Sequence, residues 1–444
     1  MTQTILHVSK KTSRTADQHE LGRRVAELLT GAWRESEVTP RSLSETQLAE
    51  IVPLLCESGA GALAWWRLRN TSLANTESGQ QLHDVYRRHR LSALIHEREI
   101  AYVLSLLRTE GIEPVLIKGW AISRLYPDAG LRPYGDIDLC IRPDQFAAAS
   151  AALKCLEEME GRYVDLHSGF ARIGQTRPED GSSVSGRFRI DAGEMRVWHE
   201  LFSRSQVVPL HQSKVQGPKS KLQLPNTDFG PWTLDFGQTV RVLSHEDHLR
   251  ILSAHLLRSG ARRPPWLCDI ALLLDKVQSP KSKVQSRSFD WDVCLRDRLH
   301  HNWTASAVML AHELLGADIS HTPFAIRRAP AWLAPAVLRQ WGRSRVQSPK
   351  SKVQSHISPR RLWTLDLGLW TKLDNPVRAT AAVGGQFNNW PRLPYRVAEL
   401  VMRLPEIPAH LVSLQQFAAQ RSNSEATSPS PVGAARWNAS LSPD

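Results

Sequence analysis

Three aspartates in two short patterns are where this sequence could do chemistry. Asp136 and Asp138 stand two apart in DIDLCI, and Asp165 stands in YVDLH. In each pattern carboxylates alternate with aliphatic side chains, the two-residue period of a half-buried strand. Asp136 and Asp138 then share one strand face, about 7 Å apart, while Ile137, Leu139 and Ile141 turn to the core. Like charges so placed are costly unless a cation or solvent accepts them. Hard oxygen donors suit Mg2+ or Mn2+, which take few carboxylates and keep places for water and substrate phosphates. His167, two residues beyond Asp165, shares its face; taken alone it reads as a packing histidine slightly sooner than as a catalytic one.

A lone DxD recurs at many strand ends, so its context decides. Upstream, PVLIK (114–118) is a short apolar run, a buried strand, and Gly119 opens a short helix closed by Pro127. Glycine lets a phosphate approach the backbone, and a helix start offers free N–H groups and positive dipole. Lys118 adds a point charge for a triphosphate. Arg132 reads equally as a phosphate contact and as a salt bridge that sets the loop before the DxD strand.

These residues need elements to position them. Residues 1–44 are polar and unpatterned, a mobile lead-in. From Glu45, apolar Leu48, Ile51, Val52, Leu55 and Cys56 recur at helical spacing, and a longer helix runs over 80–108 until Gly111 stops it. After the two strands around the DxD, 144–158 is alanine-rich and helical, and 163–167 is a third strand. Residues 187–190 and 195–198 read as edge strands. Beyond Val242 the pattern is helical, with Ser244 capping SHEDHLRILSAHLLRSG and further helices at 266–274, 291–315, 332–341 and 395–419. His248 and His255, seven apart on one helix face, read as packing residues because HEDH lacks the HExxH zinc spacing. Asp269, beside Trp266, Leu267 and Ile270, reads as a buried hydrogen-bonding acid. The fifteen tryptophans are spread along the chain and suit packing between helices.

The chain has 444 residues and a formal net charge of +12. Nine of its positive charges sit in three copies of one Lys/Ser/Pro/Gln peptide, starting at Ser213, Lys276 and Arg345, and the remainder carries only about +3. The copies read as solvated loops, so the charge does not require a nucleic-acid partner. No run of about 18 apolar residues is free of charge, which argues against a membrane span. The first residues lack the apolar core of a secretory signal. Five cysteines without a CxxC fit a reducing cytoplasm and neither a disulfide framework nor a cysteine zinc site.

The segment LIKGWAISRLYPDAGLRPYGDIDLCI resembles the signature of the uncharacterised nucleotidyltransferases of the DNA polymerase beta-like superfamily: a strand, a glycine-led helix, a DxD strand and a later third acid. Lys118, Gly119, Arg132, Gly135, Asp136 and Asp138 fall on that motif; YVDLH resembles its third-acid strand, and HEDHLRILSAHLLRSGARRPPWLCDIALLLD, with Asp269, its following helices. The likeness spans roughly residues 95–316. It departs at Trp120, where the wider superfamily usually has serine. The element pattern reads as an α+β protein, in keeping with the resemblance: a small mixed-sheet core over 111–242, N-terminal helices over 45–110, a helical domain over 243–420 and a disordered tail over 421–444. The resemblance implies a metal-dependent enzyme that moves a nucleoside monophosphate from an NTP, ATP by default, to a small-molecule, protein or RNA acceptor. Asp136, Asp138 and Asp165 would be catalytic and hold Mg2+ or Mn2+, with Lys118, Gly119 and Arg132 on the nucleotide. The alternative is a degenerate member serving as an interaction module, which Trp120 and the three inserts favour. A DxD glycosyltransferase needs a larger nucleotide-binding domain ahead of the motif. A haloacid-dehalogenase phosphatase needs threonine or valine where Cys140 stands.

Overall fold

A computed structural model of the chain describes residues 2–35, 43–160, 164–170, 192–210, 238–278, 289–296, 298–343 and 375–403. In chain order the elements are α1 (Thr2–Leu29), α2 (Glu45–Ser58), α3 (Gly61–Leu68), α4 (Glu77–Thr109), β1 (Val115–Leu116), α5 (Gly119–Ser123), β2 (Ile137–Ile141), α6 (Phe146–Glu160), β3 (Val164–Ser168), α7 (Ala192–Arg204), β4 (Gln206–Pro209), β5 (Thr239–Val242), α8 (His245–Arg258), α9 (Pro264–Gln278), α10 (Trp291–Leu295), α11 (Arg298–Leu315) and α12 (Leu333–Trp341). Two further helices follow, Pro376–Ala382 and Leu393–Arg403. This is the α+β architecture expected.

The five strands form one mixed sheet in the order β3-β2-β1-β5-β4. β2 runs parallel to β3 and antiparallel to β1, and β5 joins β1 in parallel to β4 in antiparallel. Strand alternation divides β2 between two cores. Ile137, Leu139 and Ile141 pack with Val103, Leu104 and Leu107 of α4 and Leu153 of α6. Cys140 faces the other way, into a cluster with Trp198 and Leu201 of α7 and Ile251 of α8. The polar positions of β2 and β3 lie on that second face.

The helices that flank the sheet form one body. Leu29, Leu48 and Leu63 from the N-terminal part share a core with Leu257, Leu272, Trp303 and Val337 from the C-terminal part. α2 begins as expected: the Ser44 side chain accepts from the Gln47 N–H, and the Gln47 side chain accepts from the Ser44 N–H. Trp33, Trp303 and Trp341 are buried among helices, the packing role expected of tryptophan here.

Several expectations are corrected. Residues 2–29 are helical, and the second half of α1 buries Val25, Leu28 and Leu29. It lies so close to α12 that a Cβ on Gly22 would fall 1.9 Å from the Leu338 carbonyl oxygen. Residues 195–198 belong to helix α7, because Trp198, Leu201 and Phe202 make one apolar face at helical spacing. Trp198 stacks on Phe170 at 5.0 Å and on Phe202 at 5.4 Å. The edge of the sheet is built instead by β4 and β5, which the sequence does not announce. The single helix expected over 291–315 is two, α10 and α11. The strand expected at 187–190, the tail over 421–444, the extension of the last helix to 419, and all of the inserts beyond Gln278 and around 213 and 345 lie outside the described residues.

His248 and His255 are the packing residues expected, and they give the fold a pH dependence. Burial pushes His248 down to about 3, helped by the nearby Arg124 and His245 charges, and burial likewise takes His255 to about 3. A buried neutral histidine leaves the unfolded chain binding the extra proton below its ordinary value of 6.5, so stability falls as pH drops from there toward 3. Urea unfolding at pH 7.5 and 5 should show the native chain losing about 2 kcal/mol more than a His248→Asn variant. Equal losses would mean that His248 is protonated in the folded state.

Candidate active site

The site begins with strand register. Asp138 of β2 is the direct partner of Asp165 of β3, and Cys140 partners His167. In a parallel pair, register partners put their side chains on the same face, so Asp138, Asp165 and His167 converge. His167 Nε2 lies 3.4 Å from Asp138 Oδ1 and 3.3 Å from Asp165 Oδ2. One ligand atom from each of the three falls within 4.8 Å of the others. The Asp138 side chain is 4% exposed and that of Asp165 39%, so one carboxylate is sealed at the back and the other faces solvent.

Lys118 closes the site from β1's end, its Nζ 2.5 Å from Asp138 Oδ1. It reaches there from a left-handed backbone, φ 51°, and Gly119 follows at φ 29°. Two successive positive φ values turn the chain sharply from strand into α5, a conformation that favours glycine and strains lysine. Burial raises the Asp138 pKa, but His167 and Lys118 together outweigh it and hold the carboxyl below its usual range. Asp136 lies just before β2 and is exposed at the rim. Desolvation around the site and the neighbouring Asp138 charge push its pKa up, against the pull of Lys118. The structure thus brings together Asp138, Asp165 and His167, with Lys118 against them and Asp136 beside them. Sequence reasoning gave His167 the lesser role; its place two residues from Asp165 on the same strand face was the signal for it.

Arg132 is paired with an acid outside the Asp138–Asp165–His167 cluster. Its Nε and Nη2 donate to Asp269 Oδ2 at 3.1 and 2.8 Å, and its Nη1 donates to the Pro133 carbonyl at 2.8 Å. The Tyr126 hydroxyl donates to Asp269 Oδ1 at 2.8 Å. Asp269 is fully buried, the hydrogen-bonding role its neighbours suggested. Burial opposes the Arg132 charge, but Asp269 outweighs it and keeps the guanidinium protonated. The pair ties the loop ahead of β2 to α9. Trp120 points away from the turn, its Nε1 donating to buried Glu97 of α4 at 3.1 Å. The large side chain at that position is therefore accommodated in the core and leaves the Lys118–Gly119 turn clear.

The donor set is two carboxylates and an imidazole. It fits a divalent ion, and the nitrogen donor favours Mn2+ or another transition ion over Mg2+. Residues 44–315 match the family model described as uncharacterised nucleotidyltransferase, and the chain belongs to that family. No match is found among curated proteins or among solved structures. Family membership makes a nucleotide the substrate class. Among the described residues no helix is long and apolar enough to cross a membrane.

Proposed function

We propose that the chain is a divalent-metal-dependent nucleotidyltransferase that moves a nucleoside monophosphate from an NTP, ATP by default, to an acceptor hydroxyl in the cytoplasm. The observation that carries this reading is the in-register Asp138–Asp165 pair with His167 between them. Asp138, Asp165 and His167 would hold the ion, with Asp136 contributing from the rim. When bound, the ion supplies Lewis-acid neutralisation of the triphosphate oxygens. Lys118 adds a positive charge from the same side, and the first turn of α5 presents N–H groups without intrahelical partners to the phosphates. The acceptor oxygen attacks the α-phosphorus, the bond to pyrophosphate breaks, and the hydroxyl proton passes to Asp165, the carboxylate open to solvent.

The test is incubation of the full chain with Mn2+ or Mg2+, each labelled NTP and a set of small-molecule, protein and RNA acceptors. Asp165→Asn should slow transfer by about 10²–10⁴-fold while nucleotide still raises the melting temperature by mass action. Unchanged turnover in that variant would remove Asp165 from the chemistry.

A second reading has its own support. Lys118 already neutralises Asp138 with a protein group, and His167 Nε2 lies against the same carboxylate. A retired enzyme kept as an interaction module would retain that arrangement. It expects no transfer to any acceptor and no metal-dependent nucleotide binding.

A further inference from the structure

One oxygen of the site has two partners. Lys118 Nζ lies 2.5 Å from Asp138 Oδ1, and His167 Nε2 lies 3.4 Å from the same atom. The lysine side chain is 11% exposed and that of Asp138 4%, so the ammonium is the protein's own counter-ion to a buried carboxylate. Asp165 differs. Its Oδ2 is 3.3 Å from His167 Nε2, and among the described residues no lysine or arginine pairs with it. The ammonium therefore sits at one side of the three-ligand cluster, on its most buried member, while the Asp165 side stays open to solvent.

A divalent ion ligated by Asp138 Oδ1 at about 2.1 Å would stand only about 4 Å from Nζ where the lysine now lies. Two cations at that distance, shielded from water, repel strongly. Lysine can relieve the repulsion because its ammonium is a point charge on a flexible four-carbon stem. Leaving Asp138 without a new acceptor would cost it a charge-assisted hydrogen bond. A triphosphate supplies that acceptor, with oxygens that take both the ammonium and the ion. By linkage, whatever the triphosphate does for the affinity of the ion, the ion does for the triphosphate.

We propose that Lys118 is a displaceable counter-ion: it holds Asp138 Oδ1 against a free divalent ion and moves to the phosphates when a triphosphate arrives, so that ion and nucleotide load together. The proposal rests on the metal-dependent reading of the site and adds the order in which it fills. It is tested on the full chain with Mn2+ alone, following the electron paramagnetic resonance signal of the free ion. The native chain should bind Mn2+ weakly. Lys118→Met, which keeps the length of the stem and removes the charge, should bind it about tenfold more tightly or better. Lys118→Gln should do the same, whereas Lys118→Arg, which keeps the charge, should gain nothing. Melting without metal shows which variants are folded. Should Lys118→Met and Lys118→Gln both unfold, the native chain carries the test. Its melting temperature should then rise with Mn2+ and ATP together and not with Mn2+ alone, and a full rise with Mn2+ alone overturns the proposal. Equal Mn2+ affinity in the native chain and the folded neutral variants overturns it too, and leaves the metal reading standing. No Mn2+ binding by any of them, with or without ATP, overturns both.

Discussion

Asp138→Asn is expected to lower nucleotide transfer by about 10³-fold or more, the largest catalytic effect of any single change in the site. Asp138 is the one carboxylate that Lys118, His167 and the in-register Asp165 all approach. The substitution keeps an oxygen that can accept from Lys118 Nζ but removes the charge that the buried lysine faces, so the fold should lose about 1.5–3 kcal/mol, the scale of a hydrogen bond to a charged group. The split between the two readouts is diagnostic. A site that binds a cation loses its metal-dependent thermal shift with nucleotide; a structural ion pair loses only that stability increment. The Asp138 carboxyl is held below its ordinary range, so its pairing contributes stability above the ordinary carboxylate pKa and loses it as pH falls through the depressed value. Comparisons near neutral pH therefore see the pair fully formed. Transfer and thermal shift should be measured together, and unchanged transfer by Asp138→Asn would end the catalytic reading.

The carboxylate strands were legible because a two-residue period of acid and aliphatic residues has few solutions in a water-soluble fold. Ile137, Leu139 and Ile141 go inward as that period requires, and Asp138 and Asp165 share the opposite face. The register that makes Asp165 the partner of Asp138 was not legible, since it depends on pairing between strands far apart in sequence. That register is also what brings His167 into the cluster. β4 and β5 escaped notice because each is four residues long, too short for a period to declare itself. The window 195–198 of α7 reads as an edge strand because it is likewise too short to separate a period of two from one of 3.6. α1 has no continuous apolar period: a largely polar stretch over 9–20 precedes Leu21, Val25, Leu28 and Leu29 in its last turns, and α1 and α12 pack together. The salt-bridge partner of Arg132 was not legible, since Asp269 lies across from it 137 residues along the chain.

That pair gives the largest stability effect. Arg132 and Asp269 have side chains 8 and 0% exposed, and removing one partner leaves the other as a buried, uncompensated charge. Arg132→Met or Asp269→Leu should each cost about 3–5 kcal/mol in denaturant unfolding, whereas the double variant should recover much of the loss, since a buried pair replaced by apolar side chains of similar size is often nearly neutral. Losses that simply add would mean the two side chains do not act as a unit. The same double variant separates the two roles of Arg132. Its guanidinium and carbonyl hold the loop ahead of β2, through Asp269, Pro133 and Ser123, and that loop sets the position of Asp136. Acting through that loop, it should affect kcat through misplacement of the acids and leave KM for the nucleotide nearly unchanged. An arginine that touched the triphosphate would instead raise KM, because the lost contact is made in the ground state as well as in the transition state. A stable double variant with normal kcat and a raised KM would put Arg132 on the nucleotide after all.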